Sequence, residues 1–93
     1  MDHTKYLYQY LLDSAETEVL VYLKNGQQIP TSIFGFFKNE REKKPFIHRW
    51  HFCNRNEDGL VQNDIFGNPI GMLIDQKEIA QIVFKYSNKS FQF

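Results

Sequence analysis

The chain has 93 residues, with 11 basic and 11 acidic side chains, so its formal net charge at neutral pH is zero. This length predicts one domain with one core. A dedicated nucleic-acid binder usually carries a basic excess, which is absent here. The polar start and short apolar runs predict neither a signal peptide nor a membrane-spanning helix. A single cysteine fits a reducing compartment, so we expect a soluble, cytoplasmic protein.

Residues 4–12 show a helical pattern of apolar side chains. Leu7 and Leu11 lie four positions apart, as do Tyr6 and Tyr10, so each pair falls on one side of a helix. The polar run that follows ends the pattern. We therefore predict a short N-terminal α-helix.

Residues 18–37 predict a bent β-hairpin. Two runs rich in β-branched and aromatic residues flank Asn25-Gly26, which predicts a type I′ turn with positive φ at both residues. Pro30 has no amide hydrogen and indicates a sheet edge or a bulge. Gly35 indicates a bend in the second strand.

The rest of the chain predicts further short strands around one core. A charged stretch, 38–44, predicts a solvated loop. Apolar and aromatic runs then predict strands at 45–53, 60–66, 70–75 and 78–86. The predicted fold is mostly β: a short N-terminal α-helix and a strongly bent five- to six-stranded antiparallel sheet or small barrel. We assign residues 1–86 to this domain and 87–93 to a C-terminal tail.

The stretch Ile-His-Arg-Trp-His-Phe-Cys, residues 47–53, raises the question of a metal or thiol site. Alternation along a strand places His48 and His51 on opposite faces, so they cannot chelate one ion. His51 and Cys53 share a face, but no motif supplies an oxyanion hole or a third residue. We predict a structural strand with no catalytic residue, cofactor or metal. Its core face contains Phe46, Trp50 and Phe52.

Three short motifs carry a resemblance to a known family. They are Leu23-Lys24-Asn25-Gly26, Gly35-Phe36, and the frame from Ile74 to Ile79. In these motifs the chain resembles the Sm-like small β-barrel family, particularly its Hfq-like branch, over residues 4–37 and 71–84. The resemblance implies a barrel that pairs its edge strands with neighbouring subunits into a ring.

Two departures from that family fall in its last turn. Asp75 stands where the family has a cation, and Gln76 stands where it has a glycine. The resemblance therefore implies the fold, while its RNA pocket is altered. The pattern is also similar to an uncharacterised bacterial domain family of unknown function.

The first functional hypothesis is a non-catalytic binding or assembly module, acting through protein–protein interaction or self-oligomerisation. By analogy, such a module suits a phage or mobile-element accessory protein. Phe91 and Phe93 lie in the polar tail, where an aromatic either folds back onto the barrel or anchors a partner. The partner-binding candidates are Tyr6, Tyr10, Phe34, Phe36, Phe91 and Phe93.

Two alternatives stay open at this point. Single-stranded RNA binding would use aromatic platforms beside a basic rim. Its candidates are Lys38, Arg41, Lys43, Lys44 and Arg49. A small-molecule or nucleotide-binding oligomer is the other alternative, and it has no sequence signature.

Overall fold

A computed structural model describes residues 3–40 and 44–93. Within these ranges one helix precedes an antiparallel sheet of six strands, in the order β4-β3-β2-β1-β5-β6. The sheet is bent and not closed, since β4 and β6 are its two edges. The mostly β fold with an N-terminal helix is confirmed. The elements are α1 (His3–Asp13), β1 (Glu18–Leu23), β2 (Gln28–Lys38), β3 (Ile47–Cys53), β4 (Gly71–Asp75), a 3₁₀ turn (Gln76–Glu78), β5 (Ile79–Phe84) and β6 (Ser90–Gln92).

The long strand β2 links the two halves of the sheet. Its first part pairs with β1 as far as Ser32, and its second part pairs with β3 from Ser32 onward. The register shifts between Ile33 and Gly35, which places a bulge at the predicted bend. Pro30 lies in the part of β2 that pairs with β1 alone, so this stretch is a local sheet edge as predicted.

The β1–β2 hairpin is confirmed, but the predicted type I′ turn is wrong. Gly26 has a φ of +94°, whereas Asn25 does not have a positive φ. Gly26 N–H donates to Leu23 O at 3.0 Å, and Leu23 N–H donates to Gln27 O at 2.9 Å. This is a three-residue loop in which only the glycine adopts the left-handed conformation. Asn25 instead accepts a hydrogen bond from Gln27 N–H at 2.9 Å through its side chain.

The core lies between α1 and the face of the sheet that α1 covers. Leu7 of the helix is fully buried, and the neighbouring Thr4 Oγ1 accepts a hydrogen bond from Ile47 N–H at 3.1 Å. Trp50 and Phe52 stack with their ring centroids 5.9 Å apart. The described core consists of Leu7, Val19, Val21, Ile33, Ile47, Trp50, Phe52, Ile74, Ile79, Ile82, Phe84 and Phe91. No described helix is both long and apolar enough to cross a membrane.

Two side chains of β3 are buried although they were expected on its outer face. Ile47 was expected on the outer face but is fully buried, because the register shifts between Phe37 and Lys38 and turns this end of β3 over. Cys53 keeps the face that it shares with His51, but it is buried there between Ser32 of β2 and Gly71 of β4. The predicted aromatic core positions Trp50 and Phe52 are confirmed.

Part of the segment expected as a C-terminal tail belongs to the sheet. Residues 90–92 form β6, which pairs with β5 through Gln81, Ile82 and Val83. Phe91 is only 8% exposed and packs against Phe84, with ring centroids 6.1 Å apart. Burial of the Phe91 ring, the packing of Phe93 against the core and the hydrogen bonds to β5 together hold this polar segment on the sheet.

The predicted strand at 60–66 is also wrong. Its residues belong to an excursion between β3 and β4 that we call the arm, residues 54–70. The arm has only isolated bridges, Arg55 with Val61 and Asn63 with Pro69. Two consecutive tight turns fold it instead, because each turn satisfies its own backbone locally.

Candidate interaction surface

The six predicted partner-binding aromatics divide into two groups. Tyr6 and Phe34 are 56% and 50% exposed. Tyr10 is half-buried, and its ring centroid lies 4.7 Å from that of Phe84. Phe36, Phe91 and Phe93 also pack against the core. Only Tyr6 and Phe34 therefore offer a large exposed ring, and they lie on different elements.

The predicted RNA-binding cations do not form one described rim. Lys38 Nζ lies 4.8 Å from the Tyr8 ring centroid, and Lys44 is exposed. Arg49 Nε donates to Asp75 Oδ1 at 2.8 Å on the outer face of β3 and β4. This hydrogen bond from Arg49 holds the pKa of the Asp75 carboxyl below its usual range. Arg41 and Lys43 lie outside the described residues.

His51 and Cys53 are neighbours on β3, as their spacing predicted. The Cys53 Sγ lies 3.5 Å from His51 Nε2. Burial raises the pKa of the Cys53 thiol, and the nearby charge of Arg55 opposes this only in part. The thiol is thus held in its protonated, weakly nucleophilic form. Among residues 3–40 and 44–93, no group of three or more His, Cys, Asp or Glu side chains is placed to hold a metal.

The first turn of the arm spans residues 56–60. Asn56 Oδ1 accepts hydrogen bonds from the N–H groups of Asp58 and Leu60, both at 3.0 Å. Gly59 N–H donates to Asn56 O at 2.9 Å, and Gly59 has a φ of +79°. Asn56 N–H donates to Leu60 O at 2.8 Å. This side-chain-capped turn closes without help from the rest of the sheet.

The second turn, residues 64–68, repeats this construction bond for bond. Asp64 Oδ1 accepts from Phe66 N–H at 2.8 Å and Asn68 N–H at 2.9 Å. Gly67 N–H donates to Asp64 O at 3.0 Å, with a φ of +83°. Asp64 N–H donates to Asn68 O at 2.8 Å. The arm thus contains two copies of an Asx-x-x-Gly-x turn.

The two turns differ in what they present to solvent. The central positions of the first turn hold Glu57 and Asp58, which are ordinary residues for an exposed turn. The same positions of the second turn hold Ile65 and Phe66, which are 92% and 81% exposed. Two large apolar side chains therefore project from a turn whose own hydrogen bonds hold its backbone. Such an arrangement is typical of a recognition loop rather than of a core segment.

Exposed apolar side chains are concentrated in the arm and the strand that follows it. Six of the eleven exposed large hydrophobic residues described in the chain lie between positions 60 and 73. We call them the arm–edge surface: Leu60, Ile65, Phe66, Ile70, Met72 and Leu73. Met72 and Leu73 are consecutive in β4 and lie on opposite faces of the sheet, so the six residues are grouped by their place in the chain. A concentration of exposed apolar side chains in one stretch indicates a site of interaction.

The part of this surface on β4 continues across the outer face of the sheet. Leu73 of β4 lies opposite His51 of β3. The His51 ring makes an edge contact with Phe34 of β2, with centroids 4.9 Å apart. Phe34 occupies the bulge of β2, which explains how its ring reaches this row. A band of three side chains, Phe34, His51 and Leu73, thus leads to the free edge of β4.

An open groove lies elsewhere, between the α1–β1 and β5–β6 connections. Glu16 binds these connections together, because its carboxylate accepts hydrogen bonds from Tyr10 Oη at 3.2 Å and from Ser87 N–H at 3.1 Å. It also accepts one from Tyr86 N–H. Burial raises the pKa of the Glu16 carboxyl, but these hydrogen bonds outweigh it and hold the pKa below its usual value. This cluster stabilises the fold, and its polar groups already form hydrogen bonds with one another.

Comparisons of the chain with protein-family models, curated proteins and solved structures find no match. The arm–edge surface was missed by the sequence reasoning, which treated residues 60–66 as a weak strand. One sequence signal for it exists. Asp64-Ile65-Phe66-Gly67 places two bulky apolar residues at the centre of an Asx-x-x-Gly turn, where polar residues are expected.

Proposed function

We propose that the chain is a non-catalytic binding module that acts through protein–protein contact at the arm–edge surface. The observation that carries this proposal is the pair Ile65 and Phe66, which project from a turn held by its own hydrogen bonds. A rigid turn loses little conformational entropy on binding, so most of the apolar area buried in a complex contributes to affinity. Aromatic anchors of this kind are frequent energetic centres of protein interfaces.

The charge of the arm supports a protein partner over a nucleic acid. Glu57, Asp58 and Asp64 are acidic, and Arg55 is the single base between residues 54 and 70. Arg55 Nη1 already donates to Gly59 O at 2.9 Å. Phosphates would be repelled by this segment, whereas an apolar pocket on a protein would accept its tip.

The experiment is quantitative affinity capture from a cell extract, combined with native mass spectrometry of the purified chain. Wild type is compared with Phe66→Ser and with a matched control, Leu12→Ser. Leu12 is a large apolar residue, 62% exposed on α1, outside the proposed surface. We expect wild type and the control to retain the same partner or assembly, and Phe66→Ser to lose at least tenfold in retention, equivalent to about 1.4 kcal/mol. Equal retention by all three chains would contradict the proposal.

Single-stranded RNA binding is a second candidate, supported by one cluster at the other end of β3. Lys38 Nζ lies 4.8 Å from the Tyr8 ring centroid and 5.9 Å from that of Phe46, and Lys5 Nζ lies 6.0 Å from the same Phe46 centroid. Aromatic rings beside cations are a known platform for unpaired bases. Binding of an oligoribonucleotide that weakens steeply with salt and is lost in Lys38→Gln would support this candidate. Unchanged binding in Lys38→Gln would contradict it.

A further inference from the structure

The outer edge of β4 carries backbone groups that no described residue pairs with. Asn54 N–H donates to Ile70 O at 2.9 Å, and the next facing residues are Cys53 and Gly71. In an antiparallel ladder this bond makes Cys53–Gly71 a non-hydrogen-bonded pair. The alternation continues along the regular register of β4. Its even-numbered residues therefore direct N–H and C=O toward β3, and its odd-numbered residues direct them outward.

The outward groups belong to Gly71, Leu73 and Asp75, which are spaced symmetrically about Leu73; of these, Asp75 C=O is also the N-cap carbonyl of the 3₁₀ turn and accepts the first hydrogen bond of that turn. An edge of this kind is a template for another strand unless the protein blocks it with charged side chains, a proline, a bulge, a covering segment or a very short strand. β4 has five residues, no proline and an unbroken register with β3, and its one charged side chain, Asp75, is paired with Arg49 of its own chain. The opposite edge of the sheet, β6, is only three residues long.

We propose that two copies of this chain associate by pairing their β4 edges in an antiparallel, two-fold symmetric ladder centred on Leu73. This inference rests on the proposed function and names the partner as a second copy. In this register Leu73 faces Leu73 of the second copy, while Gly71 faces Asp75 and Asp75 faces Gly71. Every outward N–H of both strands then has an acceptor, and the free C=O groups of Gly71 and Leu73 gain a donor. Any other antiparallel register leaves some of these groups unpaired or brings inward-directed groups opposite one another.

Side chains and charges fit the same register. Asp75 is the only charged residue of β4, and it would meet a glycine rather than its own symmetry mate. Its charge is already neutralised within its own chain, because Arg49 Nε donates to Asp75 Oδ1 at 2.8 Å. No like charges therefore face each other across the two-fold axis. On the outer face, the band of Phe34, His51 and Leu73 would meet the same band of the second copy. The Leu73 side chains at the ends of the two bands would then cover each other.

A cysteine at the axis is the direct test. In a hydrogen-bonded antiparallel pair the two Cα atoms are about 5.5 Å apart, within the range that a disulfide bridges. Leu73→Cys should give a disulfide-linked dimer on mild oxidation. The matched control is Met72→Cys, an exposed neighbour that would face Ile74 of the second copy rather than itself. The native Cys53 is 1% exposed and should not cross-link. We expect at least a tenfold excess of dimer for Leu73→Cys over the control, and equal cross-linking would overturn the two-fold register.

A proline at the same position tests the backbone ladder itself. Because Leu73 N–H points away from β3, Leu73→Pro leaves the β3–β4 hydrogen bonds in place but removes the central donor of the proposed interface. Sedimentation velocity should show a dimer for wild type and for Leu73→Val, and a monomer for Leu73→Pro. Circular dichroism of Leu73→Pro checks that its fold is retained.

The outcomes separate this inference from the proposed function. A monomeric wild type that still captures a partner through Phe66 would overturn the dimer and leave the binding module standing. A ring-sized assembly would also overturn it, because two-fold pairing uses the β4 edge of each chain and stops at two copies. A dimer that depends on Leu73, together with unchanged capture by Phe66→Ser, would support the dimer and contradict the role given to the arm.

Discussion

The hydrogen bond between Trp50 and Gln76 joins β3 to the 3₁₀ turn before β5, and its contribution to the free energy of unfolding can be measured. Trp50 Nε1 donates to Gln76 Oε1 at 2.6 Å, and both side chains are buried. Gln76 Nε2 is buried without a hydrogen-bond partner among the described residues. We expect the substitution Gln76→Met to have opposite effects on stability when Trp50 is present and when it is replaced by phenylalanine.

The magnitudes follow from counting buried polar groups. In the wild-type background Gln76→Met loses one hydrogen bond and leaves the indole N–H unpaired, but it also removes the unpaired Nε2. The number of unpaired groups is unchanged, so the loss is about 1 kcal/mol, the net contribution of one hydrogen bond. In a Trp50→Phe background both polar atoms of Gln76 lack partners. Gln76→Met then removes two unpaired groups, at about 1–3 kcal/mol each, and should stabilise the protein by about 2–6 kcal/mol.

The measurement is a double-mutant cycle on wild type, Gln76→Met, Trp50→Phe and the double variant. Urea unfolding followed by far-ultraviolet circular dichroism gives the free energy of unfolding of each. The cavity left by Trp50→Phe is common to both sides of the cycle and cancels. A coupling energy of at least about 2 kcal/mol is expected. If Gln76→Met has the same effect in both backgrounds, the hydrogen bond is not a source of stability and the reasoning fails.

Two other predictions concern the turns and connections. The carboxyl of Glu16 has a lowered pKa in the folded state, so its contribution to stability is fully present above about pH 4.5, the ordinary glutamate value, and is lost as the pH falls through the lowered pKa. Wild type should therefore exceed Glu16→Gln in melting temperature at pH 7, with the difference shrinking toward pH 2, and a constant difference would contradict this assignment. Gly67→Ala should destabilise by about 1–2 kcal/mol, because Gly67 has a φ of +83° and alanine resists that conformation. In the control Gly35→Ala no atom lies within 4 Å of the added Cβ and φ is not in the positive range, so urea unfolding should show little change or a gain of about 0.4–1 kcal/mol. Equal losses in both variants would show that backbone conformation is not the cause.

Local sequence signals predicted the elements whose causes are local. The helix follows from the spacing of Leu7 and Leu11, and it extends one residue beyond each predicted end. The β1–β2 hairpin follows from Asn25-Gly26, although only the glycine needed positive φ. Gly35 correctly indicated the bend of β2, because a glycine inside a strand pattern is typical of a bulge and is visible in the local sequence.

The features that the sequence did not predict depend on contacts between distant residues or on turns whose apolar pattern resembles that of a strand. Strand β6 has three residues, and its place in the sheet depends on the packing of Phe91 against Tyr10 and Phe84, which lie far away in sequence or across a turn. The apolar pattern that suggested a strand at 60–66 reflects exposed turn positions, and periodicity cannot distinguish these from buried ones. The free edge of β4 is a property of strand order, which no short window of sequence contains.

In the duplicated turns of the arm, the residues that determine the backbone fold are different from the residues that are exposed for binding. The Asx side chain of each turn accepts the hydrogen bonds that close it and the glycine supplies the left-handed conformation, while the side chains of the two residues between them make no hydrogen bond within the turn. Glu57-Asp58 and Ile65-Phe66 occupy equivalent places and differ completely in chemistry. Substitutions at these central positions are therefore free to change what the chain binds without changing how it folds. The arm is a natural place to graft a new specificity onto this scaffold.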